Sequence, residues 1–454
     1  MKAKASFVVI ATCVLCLTFA LAGVANAAKK PLTGQTVAVL VWPIGILDPV
    51  HAAVKEFEEA TGAKVILDPM GEEQLRQKMI TEFASKKIVH NVVLVDCWGL
   101  AEQQKYFRRL DDLIAGNGGG FEGLHDFNLD DFDKNMIDIL KYGGEQIGIP
   151  FYWEVGGLHY RTDLFEKHGV KVPTNFEEYM EAAKALTLDV DGDGKTDIYG
   201  TAHRAVRGED SGLMAMGAAW MFGTSVFEGK ANTPELIKKN KAKPIVNTKP
   251  WIDCFTFFGE LLSKYGPPGV TSYTWTQVMR DFKEGKLAMD IDANYFVGLY
   301  NASDSKVAGN AGLALTPVGP DGVSHYQHPF VAGIGIPKGA ADVDAAWEFI
   351  KWYTAKSTVD MSIVPGNRMT PCIPALIASE KYKKQFGPVG DMILKTLSVA
   401  DWRVMPVFPE NGQVIFYIGD AWSSVIAGSK TPQQALDDAQ KGIMDVMTKA
   451  GYYD

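Results

Sequence analysis

The sequence predicts an α/β fold built as two lobes, and three observations carry that reading. The chain has 454 residues, more than one hydrophobic core of ordinary size accommodates. From Thr36 onward, buried-strand patterns alternate with helical ones, which argues for a parallel or mixed sheet. Between two such series lies Ile147 to Phe165, I-G-I-P-F-Y-W-E-V-G-G-L-H-Y-R-T-D-L-F. Pro150 fixes φ and removes a backbone donor, so this segment reads as an edge or crossover strand. It lays Tyr152, Trp153 and Glu154 side by side where the chain passes from one lobe to the other, and clefts between lobes are where small molecules bind. A core strand with its aromatics packed inside fits the same residues.

The elements follow in order. Thr36 to Trp42 is a strand ending in tryptophan, and V-H-A-A-V-K-E-F-E-E-A from Val50 is a helix stopped by Gly62. Lys64 to Leu67 is a strand, Glu72 to Lys87 a helix, and Asn91 to Val95 a strand that runs into Asp96-Cys97-Trp98. In such sheets ligands sit at the carboxyl ends of the strands, which singles out Trp42, Asp96 and Trp98. Helices are expected over Asp163 to Gly169, Phe176 to Leu186, Trp251 to Tyr265, Trp275 to Gly285 and Ala345 to Thr354. Leu287 to Ile291 is a strand leading into Asp292-Ala293-Asn294-Tyr295, and Leu313 to Val318 is another. Pro329 to Pro337, apolar and punctuated by glycine, is the return crossing. Two helices close the chain, Val414 to Ile426 and Pro432 to Ala450.

Composition narrows the class. With 47% hydrophobic and 22% charged residues, the chain is globular and not disordered. Lys2 and Lys4 precede an uncharged apolar run that ends in Ala25-Asn26-Ala27, which reads as a cleaved secretory signal. Cleavage after Ala27 leaves 427 of the 454 residues and removes two lysines and no acid, so the formal charge of −9 becomes −11. An acidic exported protein is poorly suited to nucleic acid or anionic membranes. Cys97, Cys254 and Cys372 remain, allowing at most one disulfide and leaving a spare thiol.

Candidate site residues come from several places. Arg204 and Arg207 precede a Met- and Ala-rich helical stretch containing Trp220, and have no apolar role there. Gly366-Asn367-Arg368 is a loop with an arginine, and Trp402 lies in an irregular loop before Pro406. In D-V-D-G-D-G-K-T-D, Asp189, Asp191, Asp193 and Asp197 occupy places one, three, five and nine of a calcium loop. Gly200 stands where the bidentate acid belongs, so a structural calcium and a metal-free polar turn both remain open. No other cofactor is implied.

The order of these features resembles the family-1 extracellular solute-binding proteins of ABC importers, the maltose-binding-protein group and its sugar-alcohol relatives. The resemblance is carried by Y-R-T-D-L-F-E-K-H-G-V-K-V-P-T-N-F-E-E-Y (160–179), D-F-K-E-G-K-L-A-M-D-I-D (281–292), G-I-P-K-G-A-A-D-V-D-A-A-W-E-F-I-K-W (335–352) and T-P-Q-Q-A-L-D-D-A-Q-K (431–441). It implies the type II periplasmic-binding-protein fold with discontinuous domains: a signal over 1–27, one lobe from 28–149 and 331–364, the other from 150–330 and 365–454. It further implies a periplasmic monomer that closes by a hinge on a small sugar or sugar alcohol and delivers it to membrane permease subunits. By position, Trp42, the Asp96–Trp98 turn, Glu154 and Tyr295 match places where relatives contact sugar. R-A-V-R-G (204–208) resembles a stretch of the polyol and disaccharide binders. Ile415 falls near the place where maltose binders stack an aromatic, a departure that favours a smaller ligand.

The residues agree on their own chemistry. Trp42, Trp98, Trp153, Trp220, Tyr295 and Trp402 offer faces to C–H groups, while Asp96, Glu154, Arg207, Asp292, Asn294 and Arg368 offer hydroxyl partners. Aromatics with paired carboxylates also describe a secreted carbohydrate-active, glycosidase-like enzyme. Neither a G-x-S-x-G elbow nor H-E-x-x-H is present.

Overall fold

The computed structural model describes residues 30–42, 48–116, 124–327, 329–364 and 370–453. The expected signal over 1–27 and Arg368 lie outside the described residues. Among the described residues eleven strands run in chain order: β1 Thr36–Val41, β2 Lys64–Pro69, β3 Val92–Asp96, β4 Lys141–Tyr142, β5 Glu145–Gln146, β6 Ile149–Glu154, β7 Gly156–Arg161, β8 Tyr199–Ala202, β9 Leu287–Ala293, β10 Ala311–Ala314 and β11 Phe330–Gly335. They form a five-stranded sheet ordered β2-β1-β3-β11-β6, a four-stranded sheet ordered β10-β7-β9-β8, and the small hairpin β4–β5. In the first sheet β1 is parallel to β2 and β3, whereas β11 runs antiparallel to β3 and β6. That mixed pattern is what strand–helix alternation followed by a returning strand produces.

β6 is the edge strand of the first sheet, the place that tolerates Pro150, which stands opposite Gly333. The sheets therefore divide at Val155. Residues 150–154, which the sequence assigns to the second lobe, and Phe330 at the return are hydrogen-bonded into the first. Beyond Val155 the paired glycines lie against backbone: a Cβ at Gly156 would stand 3.2 Å from the Tyr326 carbonyl oxygen, and one at Gly157 3.2 Å from Asn294 Cα. Asn294 closes the joint. Its backbone N–H donates to the Val155 carbonyl at 2.8 Å, its Oδ1 accepts from the Val155 N–H at 3.4 Å, and its Nδ2 donates to Thr396 Oγ1 at 3.0 Å.

Helices cover both sheets. Val54–Thr61 ends at Gly62 in the left-handed region, and Thr162–His168 ends likewise at Gly169, both as glycine stops require. Ala53 splits the first expected helix into Asp48–Ala52 and Val54–Thr61. The second sheet packs under Lys249–Tyr265, and the helices Glu209–Met221, Asn411–Ile426 and Pro432–Lys449 pack beside it. Pro374–Ile377, Glu380–Phe386 and Pro388–Ser398 are helices the sequence reading did not foresee. Cys97, Cys254 and Cys372 are buried free thiols, so the expected option of one disulfide is not taken.

The seam between Glu209–Met221 and Asn411–Ile426 is closed by glycine. A Cβ at Gly419 would lie 1.8 Å from the Gly208 carbonyl oxygen, a backbone atom that cannot step aside. Gly419→Ala is expected to lower unfolding stability by about 3 kcal/mol in urea titration. A midpoint unchanged from the parent would contradict this account of the seam.

Candidate functional site

The strand ends of the first sheet meet at one ring. Phe330 opens β11, and Trp42, one residue beyond β1, stacks on it at 5.7 Å between centroids and 22° between planes. Trp98 meets it edge-on at 4.6 Å, and Tyr152 on β6 at 6.1 Å. Trp98 Nε1 donates to the Pro329 carbonyl at 3.2 Å, which orients that indole. Asp96 ends β3. One of its oxygens accepts from the Gly99 N–H at 2.7 Å, and the Arg76 guanidinium lies 4.0 Å from the other. Glu154 ends β6 opposite Phe330, 7% exposed, and accepts a short hydrogen bond from the Tyr152 hydroxyl. Burial pushes the Tyr152 phenol well up, and the Glu154 charge pushes it further, so it stays a donor.

The second lobe brings its own groups to this junction. Tyr295 follows β9 and meets the Tyr152 ring at 5.5 Å, so aromatics from the two lobes touch. Arg204 follows β8, and its guanidinium is clamped by Asp292: Nε donates to Oδ2 at 2.9 Å and Nη2 to Oδ1. Its Nη1 donates to Asp210 Oδ1 at 3.0 Å. Burial opposes charge on Arg204, yet Asp292 and Asp210 outweigh it, and Glu154 adds to them; the guanidinium is held firmly ionised. A carboxylate of one lobe and an arginine of the other are thus within electrostatic reach of each other. The floor combines apolar ring surface with fixed donors and acceptors, which suits a molecule with C–H faces and hydroxyls.

The sequence-selected residues divide. Trp42, Asp96, Trp98, Glu154 and Tyr295 gather at the junction, with Asp292 behind Arg204. Trp153 does not: it is wholly buried, with Nε1 donating to the Pro371 carbonyl at 2.9 Å. Asn294 is likewise buried and serves the joint described above. The Trp220 ring is faced by Lys230 Nζ at 4.0 Å and Arg403 at 5.9 Å. Trp402 borders a separate cavity of about 670 Å³ with Asp133, Asn135, Leu397 and Arg403. Arg207 is exposed, paired with Asp420 and 5.6 Å over the Phe416 ring.

Sequence reading singled out Tyr152 at the crossing and Arg204 ahead of the Met- and Ala-rich stretch, and passed over Phe330 as a site residue. In Phe330 nothing distinguished a hub from ordinary core. Sequence reading also named Ile415 in the helix Asn411–Ile426. Ile415 is buried at 3%, whereas its neighbour Phe416 is 41% exposed beside Gly208 and Arg207. In the acidic loop, Asp189, Asp191 and Asp197 bring oxygens within 4.8 Å of one another, while Asp193 pairs with Lys195 at 3.0 Å. Calcium takes about six to eight oxygens, and these three carboxylates would supply part of such a set.

Two α/β lobes joined over a floor of rings and fixed charges define a protein that binds small molecules in a cleft. A profile described as bacterial extracellular solute-binding protein matches residues 46–359, and the chain belongs to that family. It is 25% identical over 397 residues, 78% of this chain and 87% of the relative, to a mannitol-binding protein of Pseudomonas aeruginosa. It is 24% identical over 353 residues, 74% of this chain and 70% of the relative, to an erythritol/L-threitol-binding protein of Mycolicibacterium smegmatis. Among solved structures, an ABC-transporter solute-binding protein of Agrobacterium radiobacter K84 in complex with ribitol superposes with a TM-score of 0.80 at 25% identity, covering 92% of this chain and 100% of that one. Another, from Agrobacterium vitis S4 with bound D-mannitol, gives 0.77 at 26% identity, covering 93% and 100%. The fold is the type II periplasmic-binding-protein fold.

Two outcomes test the electrostatics of the second lobe. Asp292→Ala leaves a buried guanidinium with Asp210 as its remaining clamp and is expected to cost about 3 kcal/mol in urea unfolding; a cost below 1 kcal/mol would contradict the clamp. His203, 1% exposed, is pushed by burial down to about 4, against which the Asp292 charge works. An unfolded histidine titrates near 6.5. Between about pH 6.5 and 4 the unfolded chain therefore binds the extra proton, and stability falls as pH falls. Urea midpoints at pH 7 and 4.5 are expected to show a loss on the order of 2–3 kcal/mol that His203→Gln removes. An equal loss in parent and variant would assign it elsewhere.

Proposed function

We propose that this chain is the exported substrate-binding component of an ABC importer, working as a periplasmic monomer that captures a sugar alcohol or small sugar and hands it unchanged to membrane permease subunits. The observation that carries this reading is the junction itself: Trp42, Tyr152, Trp98 and Phe330 supply apolar ring surface beside Glu154 and the clamped Arg204. Relatives named for mannitol and for erythritol or threitol, and neighbours solved with ribitol and mannitol, support a polyol. The Lys2–Ala27 segment, read as a secretory signal, supports export.

The floor's carboxylates favour binding over hydrolysis. A glycosidase needs one carboxyl free to give a proton and another free to attack or activate water. Here Asp96 is engaged by the Gly99 N–H, Glu154 by Tyr152 and Asp292 by Arg204. Each accepts hydrogen bonds from a donor of the protein.

Isothermal calorimetry against erythritol, ribitol, D-mannitol, maltose and glucose, with chromatography of the recovered ligand, tests this directly. One-to-one binding of at least one alditol, recovered intact, is expected, along with a smaller radius of gyration by X-ray scattering once it is bound. Turnover of a glycoside would favour the enzyme, and no heat from any of these compounds would refute the ligand class.

A further inference from the structure

Trp42 carries a feature its ring does not explain. One face of the indole already lies on Phe330. Its Nε1–H is buried, yet it has no hydrogen-bond partner among the described residues. Other indoles are provided for: Trp98 donates to Pro329, Trp153 to Pro371, Trp251 to Ser225 and Trp422 to Arg204. Trp347 shares the lack, but it lies in the first-lobe core against Phe127 and away from the junction. A buried donor without an acceptor destabilises the state that contains it, and such groups are uncommon in folded proteins. At Trp42 the unmatched donor sits on the β1 side of Phe330. On the β6 side, Glu154 stands in register with the same ring, its orientation set by Tyr152. Donor and acceptor flank one aromatic platform.

We propose that Trp42 contributes to binding as a hydrogen-bond donor: its Nε1–H gives to one hydroxyl oxygen of the bound molecule while Glu154 accepts from another hydroxyl across the Phe330 ring. The inference rests on the solute-binding reading above and narrows it to ligands with at least two hydroxyls, one accepting and one donating. It also separates Trp42 from Trp98, whose N–H is committed to the protein.

The test is a pair of measurements on Trp42→Phe, which keeps a ring against Phe330 and deletes the N–H. Calorimetry with D-mannitol, ribitol and erythritol is expected to show Kd raised about tenfold for whichever alditol the parent binds. The Tm of the ligand-free variant is expected to match or exceed the parent's, because an unmatched buried donor has been removed. Replacing Trp42 by 3-benzothienylalanine, which keeps the bicyclic shape without an N–H, is expected to give the same result and covers a phenylalanine variant that fails to fold. Unchanged Kd in either variant, or a rise in Kd matched by a fall in Tm, overturns the donor role and leaves the solute-binding reading standing. If the parent protein binds none of the three alditols, the polyol reading fails and this inference fails with it.

Discussion

The stacking of strand-end aromatics on Phe330 decides where everything else at the junction can be. Phe330 begins β11, the antiparallel strand inserted between β3 and β6, so its ring emerges where the carboxyl ends of β1, β3 and β6 converge. Trp42, Trp98 and Tyr152 each rest on it from a different strand. Because a returning strand supplies the ring, the floor exists only once the chain has left the first lobe, built the second and come back. Chain order and cleft chemistry are therefore one constraint. The same return places Val155 against Asn294 and so fixes the joint within a few residues of Glu154.

The two lobes contribute unequal chemistry. The first offers rings and two carboxylates at strand ends. The second offers an arginine whose position is set by Asp292 and Asp210 and whose charge survives burial for that reason. A guanidinium held at Nε, Nη1 and Nη2 presents its remaining N–H groups in fixed directions, which lowers the ordering cost of contact with a hydroxyl. Tyr152 does the equivalent for Glu154. In both lobes a neighbour orients the group that faces the junction, a pattern that suits selective binding of an uncharged molecule.

Much of this was legible beforehand, and the parts that were not have physical reasons. Alternating apolar runs and glycine stops located most strands and helices, because Gly62 and Gly169 adopt left-handed backbone that few other residues accept. Strand ends located Trp42, Asp96 and Trp98, since α/β sheets place ligands there, and the crossing segment located Glu154. The lobe boundary was drawn at 150 where the sheets divide at Val155, because an edge strand and a crossover strand look alike in sequence. Trp153 and Asn294 were chosen for residue type, and only the fold reveals that Pro371 and Val155 consume their polar groups. Period-3.6 patterning alone could not say whether Ile415 or Phe416 faces outward at the start of the last-lobe helix. The helices from Pro374 to Ser398 went unseen because short elements give little periodicity to read.

The proposed binding mode rests an intact polyhydroxy molecule on the Phe330 platform between Glu154 and Arg204. A crystal structure of the protein grown with the tightest-binding alditol is the most direct measurement of it. Ligand density over Trp42 and Tyr295 is expected, with hydroxyl oxygens within hydrogen-bond distance of Glu154 and the Arg204 side chain. Density confined to the cavity beside Trp402, or to the outer surface, would contradict it.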